Sequence, residues 1–256
     1  NISWAPDSKS VYVIEVNRDQ NHAQLIKYNA ISGEKEGILY EETHPKYVEP
    51  QHPLIFLPWD ESKFIYQSQR DGFNHLYLFD TKKTVENNSE LKVGTNAYKE
   101  YVEVSQITKG EWLVQDVLGF NSAKKEIIIA STEVSPLQTN VYSLSIKNGK
   151  RTLIGREDGN HRASLSAGGT YIIDNFTSAE VAREISILPV NGKKGVTVFS
   201  ATDPMMEKFN MPEISIGTIK AADGKTDLYY RLIKPVNFDP NKKYPAIIYV
   251  YGGPHA

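Results

Sequence analysis

Hydrophobic and polar residues alternate in short runs along most of the chain, and one order of features recurs four times. In each copy a hydrophobic anchor precedes a polar turn, and a run rich in β-branched and aromatic residues follows that turn. Asp, Asn, Ser and Gly suit the turns because they tolerate tight backbone angles or hydrogen-bond their own backbone. The four turn-and-strand segments are residues 5–14, 58–66, 121–129 and 166–173.

A second pair of strands completes each copy of the repeat. Asn148-Gly149 follows one of these strands, and Asn-Gly is a strong hairpin dipeptide. Units of roughly 45 to 60 residues built from short strands are typical of β-propeller blades. We therefore predict an all-β fold, a partial β-propeller of about four antiparallel blades. Four β-meanders in a sandwich are the alternative, and the recurring register favours the propeller.

Three polar features of the first two repeats lead to structural rather than functional predictions. Residues 82–101 are predicted to form a solvated hairpin extension rather than a binding loop. Glu41-Glu42 could hold an ammonium group as an acidic pair, but is predicted to be a solvated turn. The turn that contains Arg70 and Asp71 is predicted to be structural, with either residue able to pair between blades.

The pattern of the chain changes after Ser200, where the repeat fades. Residues 212–219 and 228–235 are predicted to be the two strands of a hairpin with an Asp-Gly turn. Residues 246–251 are a continuous apolar run, which is typical of a buried strand inside an α/β sheet. These changes predict that a second domain begins near residue 210.

The chain ends a few residues after this apolar run, at a Gly-Gly-Pro turn. A single strand can neither pair its backbone nor bury both of its faces. We therefore expect the chain to be a piece of a longer protein. Its first domain would cover residues 1–209, and residues 210–256 would be the truncated start of a second domain.

Composition argues against several kinds of function. A formal net charge of -2 provides no general attraction for nucleic acid or anionic membranes. The absence of cysteine excludes thiolate catalysis and disulfides, and the six histidines are scattered rather than spaced as metal ligands. No apolar stretch reaches the ~20 residues that span a bilayer. We expect no metal, no cofactor, no nucleic-acid partner and no membrane segment.

Six stretches spread over the chain carry a resemblance to a known family. They are NISW at residues 1–4, YVEP at 47–50, QRDGFNHLYL at 69–78, QITKGEW at 106–112, STEVSPL at 131–137, and residues 242–255 from KKYP to YGGPH. In this order they resemble the bacterial dipeptidyl peptidases IV of the Bacteroides and Porphyromonas type, within the prolyl oligopeptidase family of serine peptidases.

The resemblance implies an eight-bladed propeller that caps an α/β-hydrolase domain and gates peptide substrates. The enzyme would release dipeptides from peptides with penultimate Pro or Ala. Residues 1–209 would be the C-terminal part of the propeller, and residues 210–256 the first strands of the hydrolase. The family's catalytic Ser, Asp and His lie downstream of this chain, which contains no Gly-x-Ser-x-Gly motif and should be inactive alone. A homodimer in the periplasm or cell envelope of a Gram-negative bacterium is also implied.

The resemblance assigns roles to two tyrosines. Tyr251, just before the Gly-Gly-Pro turn, matches the residue whose hydroxyl donates to the oxyanion of the tetrahedral intermediate, and a phenol is a rigid, uncharged donor. Tyr47 lies in the segment where relatives place an aromatic residue that lines the active-site cavity, so it is expected to face substrate. His255 is expected to be a loop residue, since the family's catalytic histidine lies far downstream.

Two other functions stay open at this point. Another prolyl-oligopeptidase relative, such as an acylaminoacyl peptidase, would differ by lacking the paired glutamates that bind a substrate ammonium, and that segment lies upstream of Asn1. A non-catalytic propeller used for binding is the second alternative. The Tyr-Gly-Gly-Pro ending argues against it, because a binding propeller has no use for an oxyanion turn.

Overall fold

Antiparallel strands account for the regular structure in the computed structural model of the chain, which describes residues 1–86, 89–201 and 208–251. The strands coincide with the runs of β-branched and aromatic residues, whose alternation lets a strand turn one side to a hydrophobic core. The first ten strands are β1 (Ile2–Trp4), β2 (Ser10–Val16), β3 (His22–Asn29), β4 (Lys35–Thr43), β5 (Ile55–Leu57), β6 (Asp60–Ser68), β7 (His75–Thr84), β8 (Leu91–Val93), β9 (Asn96–Glu100) and β10 (Val102–Gln106). The others are β11 (Val114–Asn121), β12 (Glu126–Ser131), β13 (Asn140–Ser145), β14 (Arg151–Ile154), β15 (Asn160–Leu165), β16 (Tyr171–Thr177), β17 (Glu184–Pro189), β18 (Val196–Ser200), β19 (Ile214–Lys220) and β20 (Asp227–Ile233).

The strands up to β18 form four sheets, which we name the first to fourth blades. The first blade has the order β1-β2-β3-β4-β9-β8, and the second has the order β10-β7-β6-β5. The third and fourth blades run β11-β12-β13-β14 and β15-β16-β17-β18. Apart from β8 and β9 in the first blade, each blade matches one of the four repeats of the sequence.

Each blade packs on the next, so the second and third blades are buried on both faces. On β6, Phe64 packs in the core shared with the first blade, whereas Ile65 packs in the core shared with the third. On β12, Ile127 and Ile129 face the second blade and Ile128 faces the fourth. A two-layer sandwich buries only the inner face of each sheet, whereas serial packing is the arrangement of propeller blades. The prediction of an all-β partial propeller of about four blades is confirmed, and the sandwich alternative is not.

Residues 82–101 contain the predicted hairpin, and residues 82–86 and 89–92 are exposed, but the later part of the segment docks on the neighbouring blade. Its strands β8 and β9 form a hairpin, and β9 pairs with β4 of the first blade, where Tyr98 stands opposite Glu42. The hairpin therefore places residues of the second repeat on the edge of the first blade. The docking was not predicted, because an edge strand can accept any strand that reaches it and local sequence does not show which one does.

The chain divides into two compact units, residues 1–201 and 202–256. In the second unit β19 and β20 pair as the predicted hairpin. The carboxylate of Asp223 accepts the backbone N–H groups of Lys225 and Thr226 and so holds the turn. The domain boundary between residues 209 and 210 stays a prediction.

The predicted buried strand at residues 246–251 is not formed. Ile247 and Tyr249 are 98% and 93% exposed, and none of the described strands pairs with this segment. A strand needs a neighbour to pair its backbone, and without one the apolar run is exposed and belongs to none of the described strands. The Gly-Gly-Pro turn and His255 lie outside the described residues.

Gly169→Ala should destabilise the fold, because Gly169 has a φ of +65° in the turn before β16. A Cβ there would lie 2.1 Å from the carbonyl oxygen of Phe120 in the third blade. We expect the free energy of unfolding in urea to fall by more than about 1 kcal/mol. Gly168→Ala is the matched control, because its Cβ would meet only Thr170 Oγ1, at 3.8 Å. That control should change the free energy by less than about 0.5 kcal/mol, and equal losses would contradict the account.

Candidate functional site

A cavity of about 320 Å³ lies where the first and second blades meet. Three segments line it: the end of β4 with the chain that follows it, the turn between β6 and β7, and the tip of the β8–β9 hairpin. The cavity therefore exists because the hairpin crosses from one repeat to the neighbouring blade. It brings Arg70 together with Glu42 and Tyr47, which belong to the preceding repeat of the sequence.

Glu42 is a buried wall residue of this cavity, so the prediction of a solvated turn at Glu41-Glu42 was wrong. Both residues lie on β4, where neighbouring side chains point to opposite faces. Glu42 is 6% exposed, and its carboxylate accepts hydrogen bonds from Tyr40 Oη at 3.0 Å and Asn96 Nδ2 at 3.1 Å. Glu41 lies on the other face, where Gln24 Nε2 donates to it at 2.9 Å.

Arg70 is the buried cation of the site and does pair between blades. Its Nη1 lies 2.8 Å from Glu100 Oε1 on β9, and its side chain is 3% exposed. The rings of Tyr40, Tyr77 and Tyr98 surround the guanidinium, with centroids 4.5, 4.0 and 4.8 Å from Cζ. These contacts combine an ion pair with cation–π attraction, which gains strength when the groups are desolvated.

The buried charges at this wall are not balanced. Burial raises the pKa of the Glu42 carboxyl, even though the positive charge of Arg70 opposes the shift. Burial likewise raises the pKa of Glu100, against the attraction and hydrogen bond of Arg70. One guanidinium thus faces two carboxyl groups, and desolvation disfavours their charged forms.

Glu42→Gln should stabilise the protein at pH 7. The pKa of Glu42 is raised above its ordinary value of 4.5, so the folded chain holds that proton more tightly than the unfolded chain. The stability contributed by this more tightly held proton is therefore fully present below about pH 4.5, and it is lost as the pH rises through the pKa of Glu42 in the folded chain. We expect a higher Tm than the unsubstituted chain at pH 7 and no difference at pH 4.

Glu41→Gln is the matched control for this change and should have the opposite sign. Burial raises the pKa of Glu41, but hydrogen bonds from Tyr101, Gln24 and His22 outweigh it and leave the pKa lowered. A lowered pKa contributes stability above the unfolded value that is lost on acidification, so this variant should have a lower Tm at pH 7. If both variants shifted Tm in the same direction, the assignment of Glu42 as the strained carboxyl would be wrong.

Tyr47 lies at the rim of the cavity and is 60% exposed. The backbone N–H groups of Lys46 and Tyr47 donate to His44 Nδ1, at 3.0 and 3.1 Å. His44 Nε2 in turn lies 2.8 Å from Thr95 Oγ1 on the β8–β9 turn. The rim is therefore anchored to the hairpin while the Tyr47 ring stays accessible. Its role in facing substrate stays a prediction.

Tyr251 belongs to the second unit and stands in the exposed segment that forms no strand. Its predicted role as an oxyanion donor stays a prediction. Glu42, Arg70 and Glu100 were not predicted as site residues. The sequence did contain a signal for the burial of Glu42. Alternate residues of a strand lie on the same face, so a strand through residues 40–42 places Glu42 on the same face as the aromatic Tyr40.

Within the described ranges, no helix is long and apolar enough to cross a membrane. No group of three or more His, Cys, Asp or Glu side chains among the described residues is placed to hold a metal ion. His75 is instead used within the fold, with Nε2 2.9 Å from the carbonyl oxygen of Gly110 and Nδ1 3.0 Å from Thr108 Oγ1.

The serial blades define residues 1–201 as part of a β-propeller. Residues 1–183 match the family model described as the dipeptidyl peptidase IV N-terminal region. Because this match covers more than half of the sequence, the chain belongs to the dipeptidyl peptidase IV N-terminal region family. The resemblance drawn from the six sequence stretches is confirmed.

Individual relatives agree with this assignment. The chain is 50% identical to a provisionally assigned dipeptidyl aminopeptidase IV from Bacteroides ovatus, with a TM-score of 0.88, covering 100% of this chain and 36% of that one. For Porphyromonas gingivalis dipeptidyl peptidase 4 the identity is 24% and the TM-score 0.76, over 95% of this chain and 32% of that one, which shows the fold alone. The dipeptidyl peptidase 4 of Trichophyton equinum is 27% identical over 263 residues, which is 100% of this chain and 32% of that protein. The chain thus spans about a third of the length of the relatives it matches.

Proposed function

We propose that this chain is part of a serine-type dipeptidyl peptidase that releases Xaa-Pro or Xaa-Ala dipeptides from peptide N-termini. The observation that carries the proposal is the 50% identity to the Bacteroides ovatus protein across the whole chain, on top of the family match. The remainder of the intact protein would supply the catalytic Ser, Asp and His. Residues 1–209 would admit and orient the peptide, and residues 210–256 would open the hydrolase domain.

Two tyrosines of this chain would act on the substrate. Tyr47 offers an exposed ring at the cavity rim, suited to packing against a peptide side chain. Tyr251 would donate its hydroxyl to the oxyanion of the tetrahedral intermediate, where a preorganised donor is worth far more than in water. The metal-free chemistry of a serine nucleophile requires no cofactor.

Hydrolysis of Gly-Pro-p-nitroanilide by the intact protein tests the proposal. We expect cleavage that is abolished by a serine-directed fluorophosphonate and no cleavage by the purified 256-residue chain alone. An N-acetylated Gly-Pro anilide should resist, because a dipeptidyl peptidase needs the free α-ammonium. Preference for N-acetyl-alanine anilide would instead identify an acylaminoacyl peptidase, and binding of peptides without hydrolysis of any anilide would identify a binding propeller.

The proposal includes an assembly and a location. We propose a homodimer, which sedimentation of the intact protein would test, and a periplasmic or envelope-associated site in a Gram-negative cell, which fractionation would test. A monomer at micromolar concentration, or activity confined to the cytosolic fraction, would contradict these parts without affecting the reaction.

A further inference from the structure

The wall of the cavity between the first and second blades holds a buried carboxylate that forms no ion pair with any other described residue. Arg70 forms its ion pair with Glu100, and within the described residues no Lys, Arg or His lies within 4.0 Å of the Glu42 carboxylate. Buried charges in proteins are normally paired, because an isolated ion loses its hydration without compensation. Glu42 therefore needs either a proton or a cation from outside the fold.

Hydrogen bonding at Glu42 leaves room for such a cation. The two donors to its carboxylate, Tyr40 Oη and Asn96 Nδ2, are neutral and engage one oxygen each. A carboxylate has about four acceptor positions, so each oxygen can accept a second donor. A guanidinium or ammonium group would supply both the missing donors and the missing charge.

The other lining residues favour a cation that belongs to a peptide. Glu49 and Asp71 also line the cavity, and Arg70 is the only Arg or Lys among the described lining residues. Arg70 Nη2 is buried and has no hydrogen-bond partner among the described residues. The Glu42 carboxylate would repel an anionic ligand, whereas a peptide brings neutral carbonyl oxygens as acceptors and a cationic side chain for Glu42.

The volume of the cavity and the residue at its rim also favour a peptide side chain as the ligand. At about 320 Å³, the cavity is at the small end of the range of about 300–1,000 Å³ for ligand sites, so it fits a residue rather than a folded partner. Tyr47 at the rim presents an exposed ring to which a guanidinium can bind by cation–π attraction.

We propose that this cavity binds the arginine or lysine side chain of a peptide, with Glu42 as its carboxylate partner. If the peptide is the substrate, Glu42 is a residue that determines substrate specificity, and this part of the inference rests on the proposed function. On this view the Glu42 carboxylate, which has no cationic partner among the described residues, lowers the stability of the unliganded protein but serves to bind the ligand.

Calorimetric titration of the intact protein with N-acetyl-L-argininamide and N-acetyl-L-citrullinamide tests the inference. The two compounds have nearly the same shape, and acetylation removes the α-ammonium, so they differ only in the side-chain charge and in the one guanidinium nitrogen donor that citrulline replaces with a carbonyl oxygen. A hydrogen bond to a charged group corresponds to about tenfold or more in affinity, so we expect the arginine compound to bind at least about tenfold more tightly. Glu42→Gln should remove this preference, and Glu41→Gln on the opposite face of β4 should keep it.

Three outcomes would overturn the inference: no measurable binding of the arginine compound, no preference over citrulline in the unsubstituted protein, or an unchanged preference in Glu42→Gln. The first two would show that the cavity does not recognise a cationic side chain. Failure of the proposed function is a separate result, namely no cleavage of Gly-Pro-p-nitroanilide by the unsubstituted protein. Where cleavage is seen, Glu42→Gln should lower the ratio of kcat/KM for Arg-Pro-p-nitroanilide to kcat/KM for Gly-Pro-p-nitroanilide about tenfold, and Glu41→Gln should leave this ratio unchanged.

Discussion

Arg70→Met should lower the free energy of unfolding by about 3–5 kcal/mol, because removing one partner of a buried ion pair leaves its counter-charge uncompensated. The loss includes the ion pair with Glu100 and the packing of three tyrosine rings around the guanidinium. It also leaves Glu42 without the nearby positive charge that opposes its pKa rise. Urea unfolding at pH 7, followed by tyrosine and tryptophan fluorescence, measures the change.

Arg156→Met is the matched control, because Arg156 also pairs with a carboxylate and packs on a ring. Its partner is Asp158, its guanidinium lies 4.3 Å from the Phe176 ring, and both members of the pair are exposed. Exposed pairs contribute about 0–1 kcal/mol, so this variant should be nearly neutral. Adding Glu100→Gln to Arg70→Met should recover part of the loss by removing a buried charge. A loss below about 1 kcal/mol for Arg70→Met would show that the pair is effectively solvated.

Tyr251→Phe in the intact protein should lower kcat for Gly-Pro-p-nitroanilide by about 10²–10³-fold, the effect of removing one oxyanion donor. KM should change little, because the hydroxyl is proposed to act on the oxyanion and not on the ground-state carbonyl. The exchange removes a single oxygen atom and keeps the ring, so a folding defect is not expected.

Tyr249→Phe provides the control within the same exposed segment. It makes the same chemical change two residues earlier and should leave kcat within about twofold, since it keeps the ring, and the Tyr249 hydroxyl is not proposed to contact the reacting atoms. An equal loss of kcat in the two variants, or a rise in KM alone for Tyr251→Phe, would refute the oxyanion role.

The blades could be predicted because their signals are local. The run Ile127–Ile129 is apolar at three consecutive positions because β12 is buried on both faces, and the turn residues between runs mark where each strand ends. The same logic failed at residues 246–251, where composition indicated a buried strand but no described strand is available to pair with it. A hydrophobic run in the sequence indicates that a strand requires a neighbouring strand, but it does not indicate whether that neighbour is present.

The candidate site could be predicted only in part. Tyr47, expected from the family resemblance to face substrate, lines the cavity between the first and second blades, and its role toward substrate stays a prediction. Glu42 was misassigned because its burial depends on Asn96 and Tyr98, which arrive with β9 from the following repeat. No local pattern reports which distant hairpin covers a given carboxylate.

The sequence alone determined the all-β class, the number of blades and the family. Strand periodicity, turn residues and the six stretches that resemble the family are all local features of the sequence. The tertiary structure decided which strand edges pair across repeats, and therefore which charges are buried. Pairing of β9 with β4 turned two acidic residues and one arginine into a closed, unbalanced cluster beside a cavity. The physical reason is that the energy of a charge is set by what surrounds it in space, and those neighbours are distant in sequence.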